Sequence, residues 1–151
     1  MRSDIEYMKL AYNEALKALK KDEVPIGAIL VKNDEVVAKA HNLKETSQLV
    51  TRHAEIEVIE LAEKKFNNWH LDDCTLYTTL EPCLMCSGAI IQSRIKRVVY
   101  GASEKRWSSL SNLLKTENLN HYPLITAHVY EKECSMLISN YFKQKRLIQT
   151  K

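Results

Sequence analysis

Two short motifs that lie far apart in the chain have to meet in space. They are His53-Ala54-Glu55 and Pro82-Cys83-Leu84-Met85-Cys86. One imidazole and two thiolates make three ligands for a tetrahedral zinc ion. A structural zinc site is closed by four protein ligands, whereas a catalytic one leaves a position for water. No other histidine or cysteine stands at a matching spacing. His41, His70, His121, His128, Cys74 or Cys134 would complete a closed site only by tertiary accident. A redox reading of Cys-x-x-Cys gives no role to Glu81-Pro82 or to His53. The pattern therefore reads as a catalytic centre, and any fold that satisfies it must bring two helix starts side by side.

Each motif opens a segment with helical periodicity. Helix N-termini carry free N–H groups and the positive dipole end, which favour thiolates. Cys83 and Cys86, three residues apart, project from one face of a first helical turn. Glu55 lies about 200° around the helix axis from His53, at 100° per residue. It is thus available as a proton carrier without being forced into coordination. The H-x-E…P-C-x-x-C arrangement resembles the signature of zinc-dependent nucleobase deaminases, which implies hydrolytic chemistry: zinc activates water for attack on a ring carbon bearing an exocyclic amine. Glu55 takes a proton, passes it to the ring nitrogen and helps release ammonia.

The 151 residues read as one domain, 1–151, whose 45% hydrophobic content suffices for a single core. No apolar run approaches the roughly 20 residues that cross a bilayer. The charged N-terminus is unlike a signal peptide, so the chain reads as cytoplasmic. Cys74 and Cys134 read as small core hydrophobes. The net charge of +3 permits attraction to nucleic acid without requiring it. Cations gather at Arg94, Lys96 and Arg97, at Lys105 and Arg106, and at Lys143, Lys145, Arg146 and Lys151. Charge alone favours solvated faces for all of them.

Ser3-x-x-Glu6 fits a capping box ahead of a helix over 4–20, with Ile5, Met8, Tyr12, Ala15, Leu16 and Leu19 as its apolar face. A strand over 26–31 and a strand over 35–40 flank a tight Asn33-Asp34 turn. Residues 41–51 form a polar, irregular segment, a candidate functional loop. A helix follows over 52–65 with Thr51 as N-cap, then a strand over 74–80. Pro82 suits the first turn of the next helix, which runs through Ile91. A strand over 97–101, a helix near 109–114, a strand over 124–130 and a helix over 131–149 complete the order. In that last helix Cys134, Leu137, Ile138, Tyr141 and Ile148 mark the buried face. The alternation predicts an α/β fold with a mostly parallel sheet, antiparallel only at the first hairpin, and helices on both faces.

The strings Glu23-Val24-Pro25-Ile26-Gly27-Ala28-Ile29-Leu30-Val31, His41-Asn42, His53-Ala54-Glu55-Ile56 and Thr78-Thr79-Leu80-Glu81-Pro82-Cys83-Leu84-Met85-Cys86-Ser87-Gly88-Ala89-Ile90 resemble the bacterial tRNA-specific adenosine deaminases. Ser93 to Ala102 and Asn118-Leu119-Asn120-His121 add to the likeness, which spans nearly the whole chain. That family belongs to the cytidine/deoxycytidylate deaminase superfamily. The resemblance implies a three-layer α/β/α cytidine-deaminase-like sandwich with a five-stranded mixed sheet. It implies deamination of adenosine to inosine at the wobble position of a tRNA anticodon, by a homodimer with one zinc ion per subunit. Carried over by position, His53, Cys83 and Cys86 hold zinc, Glu55 shuttles protons and Asn42 contacts the target base.

A splayed anticodon nucleotide needs a basic, partly aromatic surface. Lys143, Lys145 and Arg146, near Tyr141 and Phe142, supply part of one, with Tyr141 fitting the core better. The other reading of Asn42 is a turn residue bonding its own backbone. Two segments depart from the family pattern. Leu49-Val50-Thr51-Arg52 stands where the family has Asp-Pro-Thr-Ala, and Ser103-Glu104-Lys105-Arg106-Trp107-Ser108-Ser109 replaces a Gly-rich, Lys-containing stretch. The rival expectation is a deaminase of a free base or nucleoside, such as guanine or cytosine. A non-catalytic zinc-stabilised RNA-binding module is a third class, against which Glu55 argues.

Overall fold

The computed structural model describes residues 2–149; Lys151 of the terminal basic group lies outside them. The elements are α1 (Asp4–Lys20), β1 (Gly27–Lys32), β2 (Glu35–His41), α2 (Lys44–Ser47), α3 (Ala54–Phe66), β3 (Cys74–Leu80), α4 (Leu84–Gln92), β4 (Arg97–Ala102), α5 (Leu110–Thr116), β5 (Leu124–Thr126) and α6 (Glu131–Gln149). The five strands form one mixed sheet in the order β2-β1-β3-β4-β5. The result is a cytidine-deaminase-like α/β sandwich.

β1 alternates between the two faces of this sheet. Ala28 and Leu30 point into a core built with α3, α4 and α5, through Ala54, Val58, Ile90 and Leu110. Ile29 and Val31 join Met8 and Ala11 of α1 and Cys134 of α6 on the opposite face. Burial on both faces is why the strand reads as an unbroken apolar run. Two glycines allow the outer helices to approach. A Cβ at Gly27 would run into the Ala11 carbonyl oxygen, and one at Gly101 into the Cys134 side chain. Both cysteines outside the motif, Cys74 and Cys134, are buried as expected.

The local signals are realised closely at the chain start. Ser3 and Glu6 form the capping box, and Asn33 and Asp34 both take positive φ in the β1–β2 turn. Several expectations need correction. β1 is antiparallel to β3 as well as to β2, so the parallel pairings are β3–β4 and β4–β5 alone. The reason is topological: α3 carries the chain over β1, and β2 and β3, running the same way, flank a strand antiparallel to both. β5 stops at Thr126, because His128 and Tyr130 adopt left-handed backbone that ends extended pairing. On α1 the buried positions are Tyr7, Met8, Ala11, Glu14, Ala15 and Ala18, leaving Ile5 and Leu19 exposed. On α6 Cys134 and Tyr141 are buried, but Ile148 is exposed, because it lines an open cavity with Leu19 of α1 and Tyr141 instead of joining the core.

Candidate metal centre

The two motifs converge, and they do so from N-cap positions. His53 is the N-cap of α3 and Cys83 the N-cap of α4, both extended, while Cys86 sits in the first turn of α4. This corrects two expectations. Thr51 is not the cap, because the chain is still turning there: Arg52 N–H donates to Leu49 and His53 N–H to Thr51. Pro82 lies just before the cap rather than in the first turn, and its carbonyl accepts Leu110 N–H and the Ser87 hydroxyl. Cys83 and Cys86 thus stand at the N-cap and N3 spacing of a capping box, which turns both side chains toward the same end of the helix.

His53 Nδ1 lies 3.7 Å from Cys83 Sγ and 3.5 Å from Cys86 Sγ. All three ligand atoms fall within 4.8 Å of one another. Tetrahedral zinc, with Zn–S of about 2.3 Å and Zn–N of about 2.0–2.1 Å, sets its nitrogen and sulfur ligands about 3.6 Å apart. The donor set has that spacing. The three groups also lean on one another. The Cys83 thiol is brought down to about 4, chiefly by the Cys86 thiol and then by His53. Cys86 is pushed up by its bond to Cys83 and by burial, and His53 is raised through Cys83. The site thus readily carries the anionic sulfur that a metal needs.

Glu55 is 4% exposed, and its Oε1 is the one buried side-chain polar atom without a partner among the described residues. Leaving a buried oxygen unpaired costs about 1–3 kcal/mol. Burial raises its carboxyl to about 7, against the pull of His53. A carboxyl so placed, two residues from His53, can both take and give a proton near neutral pH.

Three further buried acceptors frame this centre, and the sequence reading found only Asn42. Its Oδ1 accepts the Ala54 N–H at 2.9 Å, so its bond goes to the start of α3 and not to its own backbone. Glu23 accepts from Glu45 N–H at 3.0 Å, Thr46 N–H at 2.6 Å and the Thr46 hydroxyl at 2.6 Å, closing the start of α2. Glu81 accepts from Glu104 N–H at 3.2 Å, Ser111 N–H at 2.9 Å and the Ser111 hydroxyl. The two glutamates carry no local signal of this role: Glu23 closes the charged run Lys20-Lys21-Asp22, and Glu81 stands between Leu80 and Pro82.

The three basic residues singled out on α6 separate. Lys143 is exposed. Lys145 pairs with Asp22 at 2.7 Å and lies over the Tyr141 ring. Arg146 lines a cavity of about 410 Å³ with Lys105, Arg106 and Phe142. Tyr141 is buried, as its fit to the core suggested.

The MafB19-like deaminase family profile matches residues 2–146. A tRNA-specific adenosine deaminase of Bacillus subtilis is 47% identical over 149 residues, covering 97% of this chain and 92% of the relative. Among solved structures, one from a study of A-to-I editing by tRNA:A34 deaminases at the wobble position superposes with a TM-score of 0.83. It is 37% identical and covers 87% of this chain and 98% of its own. A guanine deaminase from Bacillus subtilis is 38% identical but matches 68% of this chain and 66% of its own, with a TM-score of 0.64.

Proposed function

The chain belongs to the MafB19-like deaminase family, beside its tRNA-specific adenosine deaminase relatives, and from that premise we propose that it converts adenosine to inosine at the wobble position of a tRNA anticodon. The observation that carries this reading is the buried Glu55 carboxyl, with one oxygen unpaired, beside a donor set at metal spacing. His53, Cys83 and Cys86 would hold one zinc ion. Bound there, zinc supplies Lewis-acid activation of water. The chain's own contribution is the proton traffic and the placement of the base. Glu55 takes a proton, returns it to the ring nitrogen, and its burial keeps that proton out of bulk solvent. Asn42, fixed by its bond to Ala54 N–H, presents its remaining amide group to the purine.

Relatedness in sequence supports RNA over a free base, because the tRNA-specific relative is 47% identical over 97% of this chain. Lys143 and Arg146 would add phosphate contacts, whereas Lys145 would first have to leave Asp22. We further propose a cytoplasmic homodimer. No helix among the described residues is long and apolar enough to cross a membrane, and Leu61 of α3 and Leu84 of α4 expose apolar surface that a second copy would cover.

The test is to incubate purified protein with an anticodon stem-loop carrying adenosine at the wobble position and to assay for inosine. Inosine from the parent protein is expected, and Glu55→Ala should retain zinc and make none. Turnover of free guanine or cytosine with no inosine would replace this reading by the free-base one. Loss of zinc with Glu55→Ala would show that the carboxylate is a ligand and not a proton carrier.

A further inference from the structure

The segment 103–109, read from the sequence as a departure from the family resemblance, is built as a fixed shelf beside the metal centre. Glu81 holds both its ends, through Glu104 N–H and through Ser111. Pro82, the neighbour of Cys83, accepts the Leu110 N–H at 3.2 Å. Between these anchors lies Trp107, whose side chain is 58% exposed. The indole is not loose. The Arg106 guanidinium sits 4.3 Å from its ring centre and 5.1 Å from that of Phe142 on α6. Glu104, its side chain 6% exposed, grips that guanidinium through two bonds of 3.0 Å. An exposed tryptophan normally gives up rotamer freedom on binding, but here an ion pair and a ring hold it beforehand.

We propose that Trp107 is a stacking platform for a nucleobase of the RNA strand that flanks the deaminated adenosine. The proposal rests on the RNA reading above. Nucleic acid is the occupant because the shelf joins an exposed π-face to cations: Lys105, Arg106 and Arg146 line the adjoining cavity, with Glu104 as its one carboxylate. An aromatic face bordered by positive charge is the combination that binds single strands, base on ring and phosphate on cation. The stack is tolerant of base identity, so Trp107 contributes affinity and register without selecting sequence.

The chain has two tryptophans, and Trp69 stands elsewhere, stacked on His70. In a zinc-loaded Trp69→Phe background, Trp107 is the sole indole, and titration with the wobble-adenosine stem-loop should quench its fluorescence. Trp107→Ala should raise the KM for the stem-loop by about five- to a hundredfold with kcat little changed, and Trp107→Phe should restore most of it. Inosine formation with an unchanged KM in Trp107→Ala and no quenching would overturn the platform while leaving the deaminase reading intact. A fall in kcat and melting temperature with KM unchanged, or conversion to monomers by Trp107→Ala, would also overturn it, assigning the indole to folding or to a second copy. No inosine from the parent protein would instead remove the RNA reading on which the platform stands.

Discussion

Helix α1 and the helices around the metal centre begin in opposite ways. α1 is closed from next door: Ser3 accepts from Glu6 N–H and Glu6 reaches back to Ser3 N–H. α2, α3 and α5 have no side-chain bond from their own N-caps, Leu43, His53 and Ser109. Their free N–H groups are taken by Glu23, Asn42 and Glu81, buried side chains from other parts of the chain. The difference has a chemical cause at α3. A cap residue satisfies its helix by folding its side chain back, whereas His53 has to turn its ring toward Cys83 and Cys86. The capping is therefore delegated, and the acceptors that do it tie the helix starts into one frame.

The largest effect expected from breaking this arrangement is at His53. Asparagine is among the best N-cap residues, so His53→Asn offers α3 the local cap it lacks. The metal-free variant should match or exceed the metal-free parent by up to about 1 kcal/mol in chemical denaturation. Zinc content and inosine formation should both fall to background. A metal-free variant less stable than its parent would mean that the Asn42 bond already closes α3 completely and that His53 surrenders nothing.

Next comes Glu81. Glu81→Ala strands two N–H groups and a hydroxyl that now share a buried carboxylate, at a cost of about 2–4 kcal/mol. Hydrogen exchange should quicken at Glu104 and Ser111 while α1 is unaffected. Exchange spread evenly through the molecule would show Glu81 to be a general core residue and not a tie between two segments.

The same comparison explains what could be read from the sequence. Ser3-x-x-Glu6, the Asn33-Asp34 turn and the Cys74–Leu80 strand are written in neighbouring residues, and each formed where expected. The donor set was legible for a different reason: three ligands of two types at the right spacing leave few alternatives, and the fold brings His53, Cys83 and Cys86 together. Remote caps are set by tertiary geometry, so Thr51 looked like a cap while Asn42 held the bond. The antiparallel β1–β3 pairing is equally non-local, fixed by the path of α3 and not by any residue in either strand. Ile148 misled because helical spacing says which side faces inward but not whether another element covers that side along its whole length.

Asn42 sits where framing and chemistry meet, and two substitutions separate them. Asn42→Ala should lose about 1–2 kcal/mol, the usual cost of a missing cap, along with activity. Asn42→Asp keeps the acceptor for Ala54 N–H, and its charge is favourable at a helix start. Stability should thus return while deamination stays low, because the carboxylate cannot donate to the base. Full activity in Asn42→Asp would confine Asn42 to framing.

The smallest effect belongs to the local cap. Ser3→Ala removes the oxygen that Glu6 N–H uses and should cost about 1 kcal/mol, with Glu6 left exposed and well solvated. α1 packs on the sheet face opposite α3 and α4, through Met8 and Ala11, so the loss has no direct route to the donor set. Zinc content, kcat and KM should all match the parent. A locally capped helix can lose its cap and simply fray at one end, whereas a helix capped from afar passes the loss to whatever else its acceptor holds. A change in KM on Ser3→Ala would therefore show that the α1 face of the sheet also shapes the substrate site, and the separation between the two kinds of helix start would fail.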